Sequence, residues 1–203
     1  MVSDNRELAD YFDRCAADGV MSAFTPEEEP KIERLLAMWN LKPGDRVVEP
    51  GCGSGRLTEH LARAVGNNGH VLAVDISRGM IDKALLRSLP PHVTFAVADA
   101  TSVPAEDDSI EVAVCFHVFP HFFDPARALA EFGRVLRPGG RLWVNHLKGR
   151  KELNEFHNTV AHEVAGHVIP EDDAMRELMS SAGFEVLELE DGPEGYSLLA
   201  TRP

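Results

Sequence analysis

The chain has 203 residues, 44% of them hydrophobic and 26% charged, with 20 Lys+Arg against 33 Asp+Glu for a formal net charge of -13. This length fits about one domain with a core of its own, and the composition excludes wholesale disorder, a collagen-like repeat and a disulfide-stapled miniprotein. The acidic balance repels phosphate backbones and anionic bilayers, and the densest basic run, Lys148 to Lys151, is broken by Gly149, so neither a nucleic-acid nor a membrane partner is expected.

In chain order, residues 1–45 read as helical or irregular, with Pro26 to Trp39 an amphipathic helix. Short apolar runs then alternate with amphipathic segments. Strands are expected at Arg46 to Glu49, His70 to Asp75, His92 to Ala98, Ile110 to Phe116 and Arg141 to His146. Helices are expected between them at Arg56 to Val65, Arg78 to Ser88 and Pro125 to Leu136. Near-continuous apolar strands alternating with helices imply a parallel sheet covered on both faces. The end of the chain differs. A helix over Asp172 to Ala182 stops at Gly183, and two strands, Phe184 to Leu189 and Tyr196 to Thr201, flank the turn Asp191 to Gly195. That arrangement implies an antiparallel hairpin. Residues 148–170 carry no clear period and follow the fifth strand, where a cap over a site is expected.

Residues 47–55 read VVEPGCGSG, a buried strand running into a glycine loop and then a helix. Gly51, Gly53 and Gly55 allow tight turns and close approach of a ligand, and the amides at the helix start favour negative charge. A tight strand-to-helix turn alone would also explain the glycines. A nicotinamide cofactor would need GxGxxG, but Arg56 stands where its third glycine belongs. Glu49, two residues before the loop, faces a pyrophosphate poorly and suits an ammonium or sulfonium cation. Asp75 ends the second strand, where a carboxylate can grip both ribose hydroxyls, and Asp99 ends the third, where it can accept from an adenine amino group. Each acid alone reads more readily as a helix cap. All three recur in order at the carboxyl edge of the sheet, where open α/β sheets bind ligands.

These motifs together resemble a class I S-adenosylmethionine-dependent methyltransferase. EPGCGSG is similar to the family's first motif, AVDIS (73–77) to its second, VADA (97–100) to its third, and residues 114–144, with the RPGG turn at 137–140, to its fourth strand, following helix and fifth strand. The resemblance covers about residues 35–147. It implies an α/β Rossmann-like, doubly wound sheet of seven strands in the order 3-2-1-4-5-7-6, with strand 7 antiparallel. It implies S-adenosyl-L-methionine as cofactor, held by Glu49, Gly51, Cys52, Gly53 and Gly55 at the methionine end, by Asp75 at the ribose, and by Ile76, Met80, Asp99 and Ala100 at the adenine. Cys115 and Phe116 would line the floor. One domain, 1–203, is expected: a helical lid (1–45), a cofactor-binding core (46–147), a substrate cap (148–170) and a terminal helix and hairpin (171–203). Tyr11 and Phe12 belong to that lid, unless they simply pack; Trp39 and Trp143 read as core.

Methyl transfer aligns a nucleophile with a methyl carbon and its sulfur, and a histidine near neutral pKa can take the acceptor's proton. Six of the nine histidines fall between 117 and 167. His121, after the fourth strand, and His146, ending the fifth, are the first candidates for base or substrate orientation. His157 could reach the pocket from the cap. His117 reads as a wall residue. HEVAGH (162–167) resembles HExxH with one residue too many, and at about 100° per residue its histidines diverge by about 140° on a helix. No metal is therefore assigned, although a site mixing His121, His146 and His157 is an alternative that would make this a metal-assisted methyltransferase or a metal-binding protein. A non-enzymatic cofactor-binding protein is a further rival. Cys15, Cys52 and Cys115 are widely spaced, and Met1 to Arg14 is too polar for a signal peptide, so a cytoplasmic protein is expected. The expected partner is a small-molecule methyl acceptor, with the chain a monomer or homodimer.

Overall fold

A computed structural model describes residues 5–203. Residues 1–4 of the expected lid lie outside the described residues. Two helices open the chain, α1 (Asn5–Ala17) and α2 (Glu29–Trp39). The sheet region follows as β1 (Arg46–Pro50), α3 (Thr58–Val65), β2 (His70–Asp75), α4 (Arg78–Leu85), β3 (Val93–Val97), β4 (Ile110–Phe116), α5 (Pro125–Val135) and β5 (Leu136–His146). It closes with α6 (Arg150–Val160), α7 (Asp172–Ser181), β6 (Glu185–Gly192) and β7 (Gly195–Thr201). The seven strands form one sheet ordered β3-β2-β1-β4-β5-β7-β6, and only β7 runs antiparallel to both its neighbours. This is the order and polarity the motifs imply.

Strand alternation divides the core. Val47, Val71, Ala73, Val112 and Val114 point to one face, where they pack with Ile32, Trp39, Leu57, Leu61 and Ile81 from α2, the loop before α3, α3 itself and α4. Val48, Leu72, Val74, Ala113 and Cys115 point to the other, against Phe132 of α5 and Met175 and Met179 of α7. A parallel strand buried on both faces needs apolar residues at every position, which is why these runs lack polar alternation.

Three boundaries differ from expectation for local reasons. β5 starts five residues early, because Leu136 pairs with Ile110 before a bulge and Gly139 and Gly140 bond to Arg202. The terminal hairpin is tighter than expected: Gly192 pairs with Gly195, leaving Pro193 and Glu194 as a two-residue turn. The unreadable stretch 148–170 contains α6, which stops where Ala161 turns extended (φ -158, ψ 152). Among the described residues, no helix is long and apolar enough to cross a membrane.

Candidate active site

β1, β2 and β3 end side by side at one edge of the sheet, and a cleft of about 970 Å³, open solvent at its mouth included, lies over that edge. Glu49, Gly51, Cys52, Gly53, Asp75, Ile76, Met80, Asp99, Ala100 and Phe116 all line it. Ten of the twelve residues expected to hold the cofactor therefore share one cavity.

The glycine loop is shaped by contact as well as by turn geometry. A Cβ on Gly51 (φ +66) would stand 2.2 Å from a methyl of Val118, so the loop passes against the β4 end with no room for a side chain. On Gly53 (φ +55), a Cβ would meet nothing closer than the Met80 sulfur at 4.0 Å, so this side of the loop faces open space. Gly55 does not line the cleft. A Cβ there would press on Ala84, Arg87 and Phe95 at 3.3 Å, so it serves the packing of the loop before α3 against α4 and β3. Cys115 is also absent from the lining; it points from β4 into the core below and is fully buried.

The acids differ in state. Glu49 is 2% exposed and accepts from the Thr58 hydroxyl at 2.6 Å. Burial raises its pKa to about 8, so it is largely protonated at neutral pH. Asp75 accepts from the amides of Gly53 (2.8 Å) and Ser77 (2.9 Å), yet burial still raises it to about 6. One amide on each Asp75 oxygen leaves lone pairs for further donors. Asp99 accepts from Thr101 N at 2.8 Å and from the Asn5 amide at 2.6 Å. These groups fit a ligand with a cation at the Glu49 end and a diol at Asp75. Ionising Glu49 against a cation would return the stabilisation that burial removes.

α1 forms the outer wall through Asn5, Leu8 and Phe12, which the sequence did not single out as a set. Asp13 fixes the helix by accepting from the Ser77 hydroxyl (2.5 Å) and Gly79 N (2.8 Å) at the start of α4. Arg56, at the position that excluded a nicotinamide fingerprint, also lines the cleft, with its guanidinium over Phe24 at 4.4 Å and 3.6 Å from Glu28.

Of the three candidate bases, only His121 reaches the cleft. It sits in a single 3-10 turn (Phe119–His121), under Phe12 at a ring distance of 5.6 Å. Its Nδ1 lies 2.9 Å from Nδ1 of His167, so one of the two rings donates to the other. Burial, then the neighbouring His157, His167 and His146, lowers its pKa well below the usual value. His157, 6% exposed on α6, donates from Nδ1 to the His167 carbonyl at 2.6 Å and does not line the cleft. His146 ends β5 as expected, but it continues the strand face that carries Leu142 and Val144 and so points into the protein. It stacks on His117 at 5.3 Å, and both its ring nitrogens are buried without a partner. Among the described residues, no three His, Cys, Asp or Glu side chains stand where they could share a metal ion. His117, read from sequence as a wall residue, also lines the cleft.

Comparison with known proteins is consistent with this geometry. Residues 48–144 match the family described as "Methyltransferase domain". A similar curated protein is the methyltransferase GfsG of Streptomyces halstedii, 27% identical over 215 residues, covering 94% of this chain and 77% of that protein. The ubiquinone/menaquinone biosynthesis C-methyltransferase UbiE of Vibrio campbellii is 33% identical over 133 residues, covering 64% of this chain and 51% of that protein. The chain spans only 32% of another relative, a 37.1 kDa transposon protein of Streptomyces fradiae, at 41% identity over 53% of this chain. A SAM-dependent methyltransferase of Aquifex aeolicus shares the fold with a TM-score of 0.73 at 19% identity, over 98% of this chain and 99% of that one. The [4+2]-cyclase SpnF shares it at 0.68 and 23% identity, over 84% and 80%. Residues 48–144 thus carry the match to the methyltransferase domain, on a seven-strand sheet with the fold of the SAM-dependent methyltransferase of Aquifex aeolicus.

Proposed function

We propose that the protein transfers a methyl group from S-adenosylmethionine to a small molecule bound between α1, the β4 end and the histidine cluster. The observation that carries the reading is the convergence of Glu49, Asp75 and Asp99, from the ends of three adjacent strands, on one cleft. When bound, S-adenosylmethionine supplies an electrophilic methyl group on a sulfonium.

The chain's own residues have separable tasks. Glu49, with Gly51, Cys52 and Gly53, holds the cationic end; Asp75 takes the ribose; Ile76, Met80, Asp99 and Ala100 frame the adenine. Phe12, Phe116, Val118, Phe122 and Phe123 give the remaining cleft an apolar, largely aromatic wall, which excludes water and favours an acceptor with an apolar ring. The quinone-biosynthesis enzyme among the relatives is consistent with such an acceptor. His121 is neutral at pH 7 and, when its Nδ1–H points to His167, presents a bare Nε2 to an acceptor proton. Its lowered pKa makes it a weak base, so alignment of the acceptor contributes more than proton removal. His157 supports this arrangement by holding the His167 segment.

The test is transfer of labelled methyl from S-adenosylmethionine across a panel of hydroxylated and amino aromatic acceptors. The reading expects at least one acceptor to be labelled and S-adenosylhomocysteine to inhibit. Binding of S-adenosylmethionine without transfer to any acceptor favours the non-enzymatic rival.

A further inference from the structure

We infer that His117 is a fixed hydrogen-bond donor that positions the methyl acceptor, and that the acceptor therefore carries a carbonyl-type oxygen on its flat apolar frame. The inference rests on the methyltransferase reading above and adds to it the functional group that the pocket recognises.

Leu147 N donates to Nε2 of His117 at 3.0 Å. A backbone amide cannot accept, so Nε2 carries no proton, and a neutral ring must then carry its proton on Nδ1. The ring is held flat between Phe116, stacked at 4.0 Å and 20°, and His146 at 5.3 Å and 6°. Nδ1 has no protein partner among the described residues, and it is not sealed as both nitrogens of His146 are. His117 is partly exposed, and the space it faces is the cleft.

A purely structural role explains the Leu147 contact and the main-chain bond from His117 N to Asn145 O (2.9 Å), which tie the β4 end to β5. It leaves the Nδ1 proton without an acceptor. The backbone of His117 sits at φ +58, a left-handed conformation that is uncommon outside glycine and that asparagine, aspartate and histidine adopt more readily than other residues. That bend is what turns the ring to offer Nδ1 to the cleft while Nε2 is occupied. Burial and the nearby Arg56 guanidinium depress the His117 pKa to about 3, so the ring stays a neutral donor across the physiological range. A donor beside a cation selects an electron-rich oxygen. Hydrogen-bonding the attacking atom itself would reduce its nucleophilicity. His117 therefore holds a neighbouring oxygen, while His121 faces the group that loses a proton.

The experiment uses the full chain, labelled with 15N histidine and saturated with S-adenosylhomocysteine. Long-range 1H–15N spectra report the proton position on each ring, and the His117 signals are assigned with His117→Asn, which tolerates positive φ and keeps a side-chain donor. The inference expects a proton on Nδ1 of His117 from pH 5 to pH 9. It also expects 1-tetralone to shift that signal and to bind about tenfold more tightly than tetralin, as one hydrogen bond allows. His117→Asn should keep the ketone preference and His117→Phe should lose it. A proton on Nε2, equal affinity for the two probes, or binding by neither overturns the inference. If S-adenosylhomocysteine itself gives no calorimetric signal with the unaltered protein, the methyltransferase reading fails instead.

Discussion

Burial leaves Glu49 with a pKa of about 8 against an ordinary 4.5, and Asp75 with about 6 against 3.8, because the Thr58 hydroxyl and the Arg56 charge repay only part of the hydration Glu49 loses, and Asp75 has only backbone amides. Between about pH 4.5 and 8 the folded, ligand-free chain keeps a proton on Glu49 that the unfolded chain has released. Stability therefore falls as pH rises through that window. Thermal melts of the ligand-free protein should show this slope, and Glu49→Gln should flatten its upper part. A cationic ligand reverses the balance. At pH 7, S-adenosylmethionine should expel up to about one proton on binding, read as a dependence of calorimetric heat on buffer ionisation enthalpy, while S-adenosylhomocysteine, which keeps the ammonium but lacks the sulfonium charge, should expel less. Glu49→Gln should weaken S-adenosylmethionine by about 10- to 100-fold, the range for a charge-assisted contact. These acids were legible in the sequence, because a carboxylate after an apolar run marks the open end of a buried strand. The facing of His146 was not. Its place at the end of β5 was clear, but a period of two leaves the choice of face to the register, which the pairing with Tyr196 sets.

At the scale of elements, the loop between β1 and α3 and the docking of α1 on α4 decide the shape of the cleft. Gly51→Ala would drive a methyl group into Val118 and hold a side chain at φ +66. A loss of about 2–4 kcal/mol in chemical denaturation is expected, overpacking and backbone strain combined, along with loss of cofactor affinity. Gly55→Ala should destabilise as well, through Ala84, Arg87 and Phe95, with a smaller effect on affinity because Gly55 is outside the cleft. Sequence spacing cannot separate these glycines, since both answer the same demand for positive φ. Asp13→Ala removes both anchors of α1 on the start of α4. Amide exchange in α1 should rise, with a stability loss of about 1–2 kcal/mol. The sequence marked residues 11–12 as a lid but gave no sign of Asp13, whose partners lie more than sixty positions away.

Across the whole molecule, the regular part of the fold was readable and the closure of the site was not. Strands buried on both faces, such as β1, β2 and β4, announce themselves by composition, whereas the seven-strand order was implied only by the family resemblance that the motifs carry. The contacts that close the cleft link distant segments. Arg14 of α1 pairs with Glu163, Phe12 meets His121, and Asn5 reaches Asp99. None has a local signature, and residues 161–170 lie in turns with no period to read. Because α1 touches both ends of the cleft, a ligand should protect α1 and residues 161–170 together in hydrogen exchange; protection of one without the other would separate lid from cap. The central claim, that acids at the ends of adjacent parallel strands hold the methyl donor, is tested most directly by calorimetric titration of S-adenosylmethionine into the unaltered protein and Asp75→Ala. One site, weakened about 10- to 100-fold in the variant through the lost ribose contacts, is expected. No binding to the unaltered protein, or equal affinity in both, would contradict the account.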